Sequence, residues 1–222
     1  GNLTITSGNF NLDCADDTLH AGGTIAISDG TITALSGDDG IHSDTELTIT
    51  GGTIDIQKSY EGLEGVNINI EGGNISIVAS DDGINVNDSN GLLNITAGTT
   101  YVNARGDGLD SNGSITMSGG TVLVDGPTSN GDGALDYDYT ANITGGTLVT
   151  AGSSGMVQAI TASDNKSTLN LYFTETQKAN TLVSITDESG NLVCAYKPTK
   201  DFQNIVIYNS DILKNKKYTV SV

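Results

Sequence analysis

Short runs of alternating apolar and polar residues recur along the first 160 residues, and small bends interrupt them. In one representative run Leu47 and Ile49 alternate with threonines, and Ile54 and Ile56 repeat the alternation after a Gly-Gly pair. Alternation with a period of two predicts short β-strands that bury one face. Gly52, at the end of the pair, predicts a bend in which the backbone needs a positive φ or a close approach.

Two sequence markers keep one register along the chain, which indicates an internal repeat. A motif of the type Asp82-Gly83-Ile84 recurs with its acid, or the equivalent residue, at positions 17, 39, 61, 82, 107 and 132. The glycine that ends each bend lies at positions 8, 30, 52, 73, 98, 120 and 146. Coils of 21 to 25 residues, each with two strands and a third inward apolar position, predict an all-β fold. The architecture expected from them is a parallel β-helix of about seven coils.

Other solenoid classes match the pattern less well. Leucine-rich repeats have a similar period but require a leucine and asparagine pattern that is absent here. Calcium-binding nonapeptide rolls would show a Gly-Gly-x-Gly-x-Asp motif twice in each coil, and this motif is absent here. Helical repeats are excluded by the high content of glycine, threonine and β-branched residues.

We divide the chain into a parallel β-helix, residues 1–160, and a C-terminal antiparallel β cap, residues 161–222. In the second part longer apolar runs alternate with turn signals, as between 181–186 and 192–196. A solenoid ends in an open strand edge, so we expect this segment to cover that edge. Gly1 falls inside a coil, and we expect a signal segment and an N-terminal cap to precede it in the natural protein.

Charge is distributed unevenly over these two parts. Up to residue 160 there are 21 acidic residues and two cations, Lys58 and Arg105, whereas the rest has six acids and seven lysines. Such an acidic surface excludes nucleic acid as a partner and disfavours an anionic membrane. No stretch approaches the ~20 apolar residues of a membrane span, so we predict no membrane insertion. Cys14 and Cys194 are predicted to be two isolated buried thiols.

Stacked coils would bring the acidic markers into a column. Equivalent positions of successive coils lie about 4.8 Å apart, so the acids form one file and the residues three positions later form a second. Like charges ~5 Å apart repel by about 3 kcal/mol at an effective dielectric of ~20. The side chains could extend into solvent, cap turns, or bind Ca²⁺, which takes roughly six to eight oxygen ligands. The candidate calcium ligands are Asp38, Asp39, Glu61, Glu64, Asp81, Asp82, Asn85, Asp107, Asp110, Asp132 and Asp136.

The second file begins with His20 and His42, which are the only histidines of the chain. Stacking places them on neighbouring coils. Without a cysteine or a third histidine nearby, a zinc site is disfavoured. A surface stack of two imidazole rings is the simpler prediction.

Six longer motifs carry a resemblance that extends over nearly the whole chain: 59–65, 80–85, 106–112, 126–137, 152–156 and 180–183. They resemble a family of secreted clostridial carbohydrate-binding proteins. The resemblance implies a right-handed parallel β-helix, similar to family 9 polysaccharide lyases, with several calcium ions at the matching Asp and Glu positions. It also implies binding of cellulose and of acidic plant polysaccharides such as polygalacturonate. Family members usually have further N-terminal segments, so a binding surface built from those segments is not carried over.

The residues favour binding over catalysis. Cleavage of a polyuronate by β-elimination needs a Lewis acid and a base, and within the β-helix only Lys58 and Arg105 could be the base. Each is predicted to pair with a nearby acid, Glu61 or Asp107, which suits a structural role better. We therefore predict a non-catalytic, extracellular module that binds plant cell-wall polysaccharide, with structural or bridging calcium. The alternatives are a calcium-dependent pectate lyase and a surface or adhesin-type spacer without a ligand.

The candidate sugar-contacting residues are Tyr60, Tyr101, Tyr137 and Tyr139, because neutral glucans need aromatic faces on which to stack. The coils lengthen at 88–91 and 127–131, and insertions at matching points of a solenoid often line a binding face. Nothing in the sequence indicates an obligate protein partner.

Overall fold

The computed structural model describes every residue from Gly1 to Val222. The predicted all-β solenoid of about seven coils is confirmed, and it is followed by a small three-stranded antiparallel sheet. The first sixteen strands belong to the coils: β1 (Leu3–Ile5), β2 (Asn9–Cys14), β3 (Leu19–Ala21), β4 (Ile25–Ile27), β5 (Thr31–Ser36), β6 (Ile41–Ile49), β7 (Thr53–Ser59), β8 (Leu63–Ala79), β9 (Ile84–Val86), β10 (Leu92–Ala104), β11 (Leu109–Ser111), β12 (Ser114–Met117), β13 (Thr121–Asp125), β14 (Ala141–Ile143), β15 (Thr147–Gly152) and β16 (Thr161–Ala162). Five strands follow: β17 (Lys166–Gln177), β18 (Val183–Asp187), β19 (Leu192–Tyr196), β20 (Phe202–Leu213) and β21 (Tyr218–Ser221).

The coils form three faces, in each of which successive coils pair in parallel. The first face contains β1, β4, β12, β14, β16 and parts of β6, β8 and β10. The second contains β2, β5, β7, β13, β15 and the remaining parts of β8 and β10. The third contains β3, β9, β11 and the first residues of β6 and β8. The third face positions the candidate site, because the middle residue of each of its short strands points outward.

The interior is a continuous stack of aliphatic side chains, one layer for each coil. The apolar residue after each acid-glycine pair is inside as predicted, and Ile41, Leu63, Ile84 and Leu109 are at most 1% exposed. Burial of an aliphatic side chain of this size stabilises the fold by about 1.5–3 kcal/mol. The core therefore fixes the height of every coil, and with it the spacing of the outward residues.

The bend glycines confirm the second sequence marker. All seven have a positive φ, from 80° at Gly120 to 118° at Gly8, a conformation that a residue with a Cβ adopts only with strain. The two sequence markers therefore have different causes. The first is the side chain of the acid, and the second is a backbone geometry that favours glycine.

The C-terminal segment covers the end of the solenoid. Strand β20 pairs antiparallel with β15, the last strand of the second face, and on its other side with β17. Strands β19, β18 and β21 form the separate small sheet. The boundary between residues 160 and 161 stays a prediction, since β17 and β20 continue the solenoid's own sheet. Cys14 and Cys194 are unpaired, as predicted, but half-buried rather than buried. No helix that could cross a bilayer is present.

Candidate functional site

The first file of the predicted column is held together by hydrogen bonds between coils. The Asp17 carboxylate accepts the backbone N–H of Asp39 at 3.0 Å, and Asp39 accepts that of Glu61 at 3.1 Å. Farther along, Asp82 accepts the N–H of Asp107 at 2.6 Å. These carboxylates therefore cap the turn of the next coil rather than their own turn. A capping carboxylate still has a second oxygen that can bind a cation.

The second file is in register as predicted. Strand pairing places His20 next to His42, His42 next to Glu64, Glu64 next to Asn85 and Asn85 next to Asp110. Each of these residues lies between two inward residues of its coil, so its side chain stands on the outer surface of the third face. The two files together form one acidic column along the solenoid.

The register shifts by one residue at the last coil. The N–H of Gly108 bonds to the carbonyl oxygen of Gly133, whereas the matching bond of the preceding coil goes from Gly83 to Asp107. Gly133 therefore takes the position in the file that was assigned to Asp132, and Asp132 lies one residue before it. Backbone hydrogen bonds to the neighbours of Asp110 place Asp136 in the second file instead.

Burial raises the pKa of most carboxylates in the column. It raises the pKa of Glu61, Asp82 and Asp110 to about 7 and that of Asp107 to about 6, and neighbouring carboxylates add to the effect. Burial also raises the pKa of Asp39. A raised pKa means that the negative charge is poorly solvated where it sits. The column therefore favours either a proton or a bound cation beside each of these groups.

The acidic groups that could hold a metal ion fall at both ends of the column. At the C-terminal end one oxygen from each of Asp107, Asp110 and Asp136 lies within 4.8 Å of the others. At the N-terminal end there are three groups: Asp17, His20 and His42; Asp39, His42 and Glu64; and Asp16, Asp17 and Asp38. Four other predicted ligands belong to no such group of acidic and histidine side chains: Glu61, Asp81, Asp82 and Asp132.

Asn85 lies between the two ends and has an unusual environment. Its amide nitrogen donates to the Glu61 carboxylate at 2.8 Å, but its amide oxygen is buried without a hydrogen-bond partner. Buried polar atoms almost always have a partner. An amide oxygen beside carboxylates is also a typical calcium ligand. The donor set of the column, which consists of carboxylates and one free amide oxygen, matches a hard cation such as Ca²⁺.

The predicted stack of the two histidine rings is present, and the ring nitrogens also contact carboxylates of the column. Their rings are stacked, with centroids 4.6 Å apart and planes within 2° of each other. The Nδ1 atom of His42 lies 3.2 Å from Glu64 and 3.5 Å from Asp17, and that of His20 lies 3.2 Å from Asp17. On the opposite side of the rings, His20 Nε2 is 2.8 Å from Asp44. Sequence spacing placed Asp17 in the first file, but it did not indicate Asp16 or Asp44 as part of the site. The contact of Asp44 with His20 depends on the stacking of coils.

The four candidate tyrosines divide into two pairs. Tyr60 and Tyr139 are exposed, with 49% and 62% of their surfaces accessible. Tyr101 donates to Asp125 at 2.8 Å, and Tyr137 donates to the carbonyl oxygen of Ala159 at 3.2 Å, so both are tied into the structure. Tyr60 and Tyr139 are thus the pair with ring surface free for a ligand.

The predicted ion pairs of Lys58 with Glu61 and of Arg105 with Asp107 are wrong. The one ion pair of a lysine or arginine in the structure joins Lys178 to Asp201. Glu61 instead accepts a hydrogen bond from Asn85, and Asp107 accepts one from the backbone of Gly133. In both cases the carboxylate is hydrogen-bonded to a residue of another coil, and not to the cation that lies close to it in sequence.

The fold and this site together define a class of protein: a β-solenoid with an acidic column on one face. A family model described as "Carbohydrate-binding domain-containing protein" matches residues 1–40 and 38–212, which is nearly the whole chain. The chain therefore belongs to this family of carbohydrate-binding domain-containing proteins. Comparison with curated proteins and with solved structures gave no match.

Proposed function

We propose that the protein is a non-catalytic, extracellular module that binds acidic plant cell-wall polysaccharide, with polygalacturonate as the representative ligand. The observation that carries the proposal is the column of partly buried carboxylates whose pKa values are raised to about 6 to 7. Carboxylates of this kind bind a hard cation in preference to remaining bare. Membership of a carbohydrate-binding family supplies the class of ligand.

Calcium in the column would reconcile the charge of the protein with that of the ligand. The coils carry nineteen more acidic than basic residues, so a polyuronate would be repelled by the protein alone. Asp107, Asp110 and Asp136 are the residues that would hold an ion most directly, and Asn85 has a free oxygen for a second. The ion would supply a positive charge that carboxylates of the protein and of the sugar chain could share.

Neutral stretches of the same polysaccharide, or cellulose, would be bound through aromatic stacking. Tyr60 and Tyr139 are the exposed rings of the coils that could serve as platforms. Their contribution is secondary in this proposal, because two rings offer little of the apolar area that drives binding of uncharged sugars.

The experiment is a binding assay with immobilised polygalacturonate and cellulose, run with calcium and again with EDTA. Binding to polygalacturonate that calcium strengthens and EDTA weakens supports the calcium bridge. Ultraviolet absorbance should stay flat, since β-elimination would give an unsaturated uronate that absorbs in the ultraviolet and would identify a lyase instead. Absence of binding to either polysaccharide in both buffers would leave the spacer as the better explanation.

A further inference from the structure

A polar pocket of about 260 Å³ lies where the C-terminal segment meets the coils. Its lining consists of Arg105, Thr128, Ser129 and Lys200, with no apolar residue. Thr128 and Ser129 belong to the insertion that lengthens this coil. A larger cavity of about 360 Å³ beside the three-stranded sheet is lined by carboxylates and lysines together, so its charges offset one another. The smaller pocket is the one with a single sign of charge.

This concentration of positive charge is unusual for such an acidic protein. Arg105 is one of only two cations among the first 160 residues, and it forms no ion pair. Lys200 is brought beside it from the other part of the chain. No carboxylate lines the pocket. Two cations that face one cavity repel each other, and an anion between them would remove that repulsion.

The pocket is held in a fixed shape by hydrogen bonds. The Lys200 ammonium donates to the backbone carbonyl oxygen of Ala104, the residue next to Arg105. The segment before Lys200 is anchored on Asp125, which is 1% exposed and accepts the N–H of Thr199 and the hydroxyl of Tyr196, each at 2.9 Å. The position of Lys200 is therefore set before any ligand arrives, which lowers the entropic cost of binding.

We propose that this pocket binds the carboxylate of a uronic acid residue in an acidic polysaccharide. Arg105 would form a two-pronged hydrogen bond with the carboxylate, Lys200 would add a second charge, and the hydroxyls of Thr128 and Ser129 would bond to sugar hydroxyls. The volume is below that of a drug-sized ligand site and suits a single sugar ring. The inference rests on the proposed function and deepens it, because it assigns one acidic sugar a site that needs no calcium.

Burial lowers the pKa of Lys200 to about 8. At neutral pH the ammonium therefore remains mainly charged and can attract an anion. The same ammonium is already engaged as a donor to Ala104, which suits a fixed positive charge better than a base that removes a proton.

The test is calorimetric titration of the full chain with trigalacturonate in EDTA, which removes any contribution from calcium. Wild type should bind, and Arg105→Ala should weaken binding by about tenfold or more, the effect of losing a hydrogen bond to a charged group. Lys58→Ala is the matched control, because it removes the other exposed cation of the coils outside the pocket. It should change affinity less than about twofold, as expected for a screened distant charge.

Three results would overturn the inference: equal losses in the two variants, unchanged binding in Arg105→Ala, or tighter binding of inorganic phosphate than of trigalacturonate. Cellotriose, a neutral trisaccharide, should not compete for the pocket. The inference and the proposed function can fail separately. If calcium-dependent binding of polygalacturonate persists while trigalacturonate does not bind in EDTA, only the pocket assignment fails. If wild type binds neither ligand in either buffer, both fail.

Discussion

The two ends of the acidic column are built from the same repeated motif but differ in what can neutralise them. At the N-terminal end, His20 and His42 place ring nitrogens 3.2 Å from Asp17 and Glu64. At the C-terminal end, Asp107, Asp110 and Asp136 converge without any basic side chain in contact. The second file thus changes from imidazole to carboxylate as it passes along the solenoid.

The difference shows that the negative charge of the same repeated motif can be neutralised in two ways. Protonated imidazoles can offset the carboxylates of the first coils from within the chain. The last coils have no such group, so their negative charge is relieved only by protons or by an external cation. We therefore expect calcium to stabilise chiefly the C-terminal end. We expect pH to change the stability of both ends, over a different pH range at each end.

The largest effect should come from breaking the register between the two ends. Gly83 follows Asp82 in the middle of the column, and a Cβ there would lie 2.1 Å from a methyl carbon of Val102 and 2.6 Å from the carbonyl oxygen of Gly108. Neither neighbour can move without shifting a coil. Gly83→Ala should therefore destabilise the fold by about 3 kcal/mol, the upper range for overpacking, and lower Tm by roughly 6–12 °C.

Gly131→Ala is the matched control for this prediction. A Cβ at Gly131 would meet no atom within 4 Å, so Tm should be nearly unchanged. Calorimetry or circular dichroism gives both values. If Gly83→Ala melts at the temperature of Gly131→Ala, the rigid stacking that links the two ends would be in doubt.

The second effect is stabilisation by calcium. Free Ca²⁺ at about 100 times its Kd would add about 2.7 kcal/mol and raise Tm by roughly 5–10 °C. The double variant Asp107→Asn/Asp110→Asn should lose most of this shift. It should also melt higher than wild type in EDTA, because two poorly solvated charges are gone. Asparagine at position 107 still has an oxygen that can accept the Gly133 N–H.

Variants at the other end provide the comparison for calcium. His20→Gln/His42→Gln leaves Asp107, Asp110 and Asp136 intact, so the calcium shift should persist. Loss of the shift in both double variants would mean that calcium binds along the whole column. Retention of the shift in both would place the ion elsewhere.

The third effect is a decrease in stability with rising pH when calcium is absent. Asp82 and Asp110 have pKa values of about 7 in the folded chain and about 4 when unfolded. Between these values the folded state binds more protons than the unfolded state, so stability falls as pH rises. Tm in EDTA should thus be higher at pH 5 than at pH 7.5, and calcium should flatten the slope. A rise in Tm over this range in EDTA would contradict the assigned burial of these groups.

The sequence was sufficient for the register of the coils as far as Asp110, and insufficient for most hydrogen bonds and ion pairs between side chains of different coils. The bend glycines and inward residues such as Ile84 recur because backbone geometry and core packing repeat, so spacing alone reveals them. Asp132 was misplaced because an irregular insertion precedes it and shifts the register by one. Lys200 donates to Ala104 across 96 positions of the chain, and no local pattern in the sequence encodes such a contact.

The smallest effect concerns the imidazole end alone. The hydrogen bond with Asp44 is the main cause of the raised pKa of His20, and Asp44 is an exposed residue. Asp44→Asn should therefore lower the pKa of His20 toward about 6.5, with little change in Tm because exposed pairs contribute weakly. A histidine whose pKa is raised in the folded state stabilises the fold at pH below its unfolded pKa. That contribution is lost as pH rises through its folded pKa.

NMR titration of the His20 ring protons measures the change in pKa directly. Asp138→Asn is the control, because it removes another exposed charge at the opposite end of the column. An equal shift of the His20 pKa in that variant would show that the general field of the protein, rather than the contact with Asp44, sets the pKa.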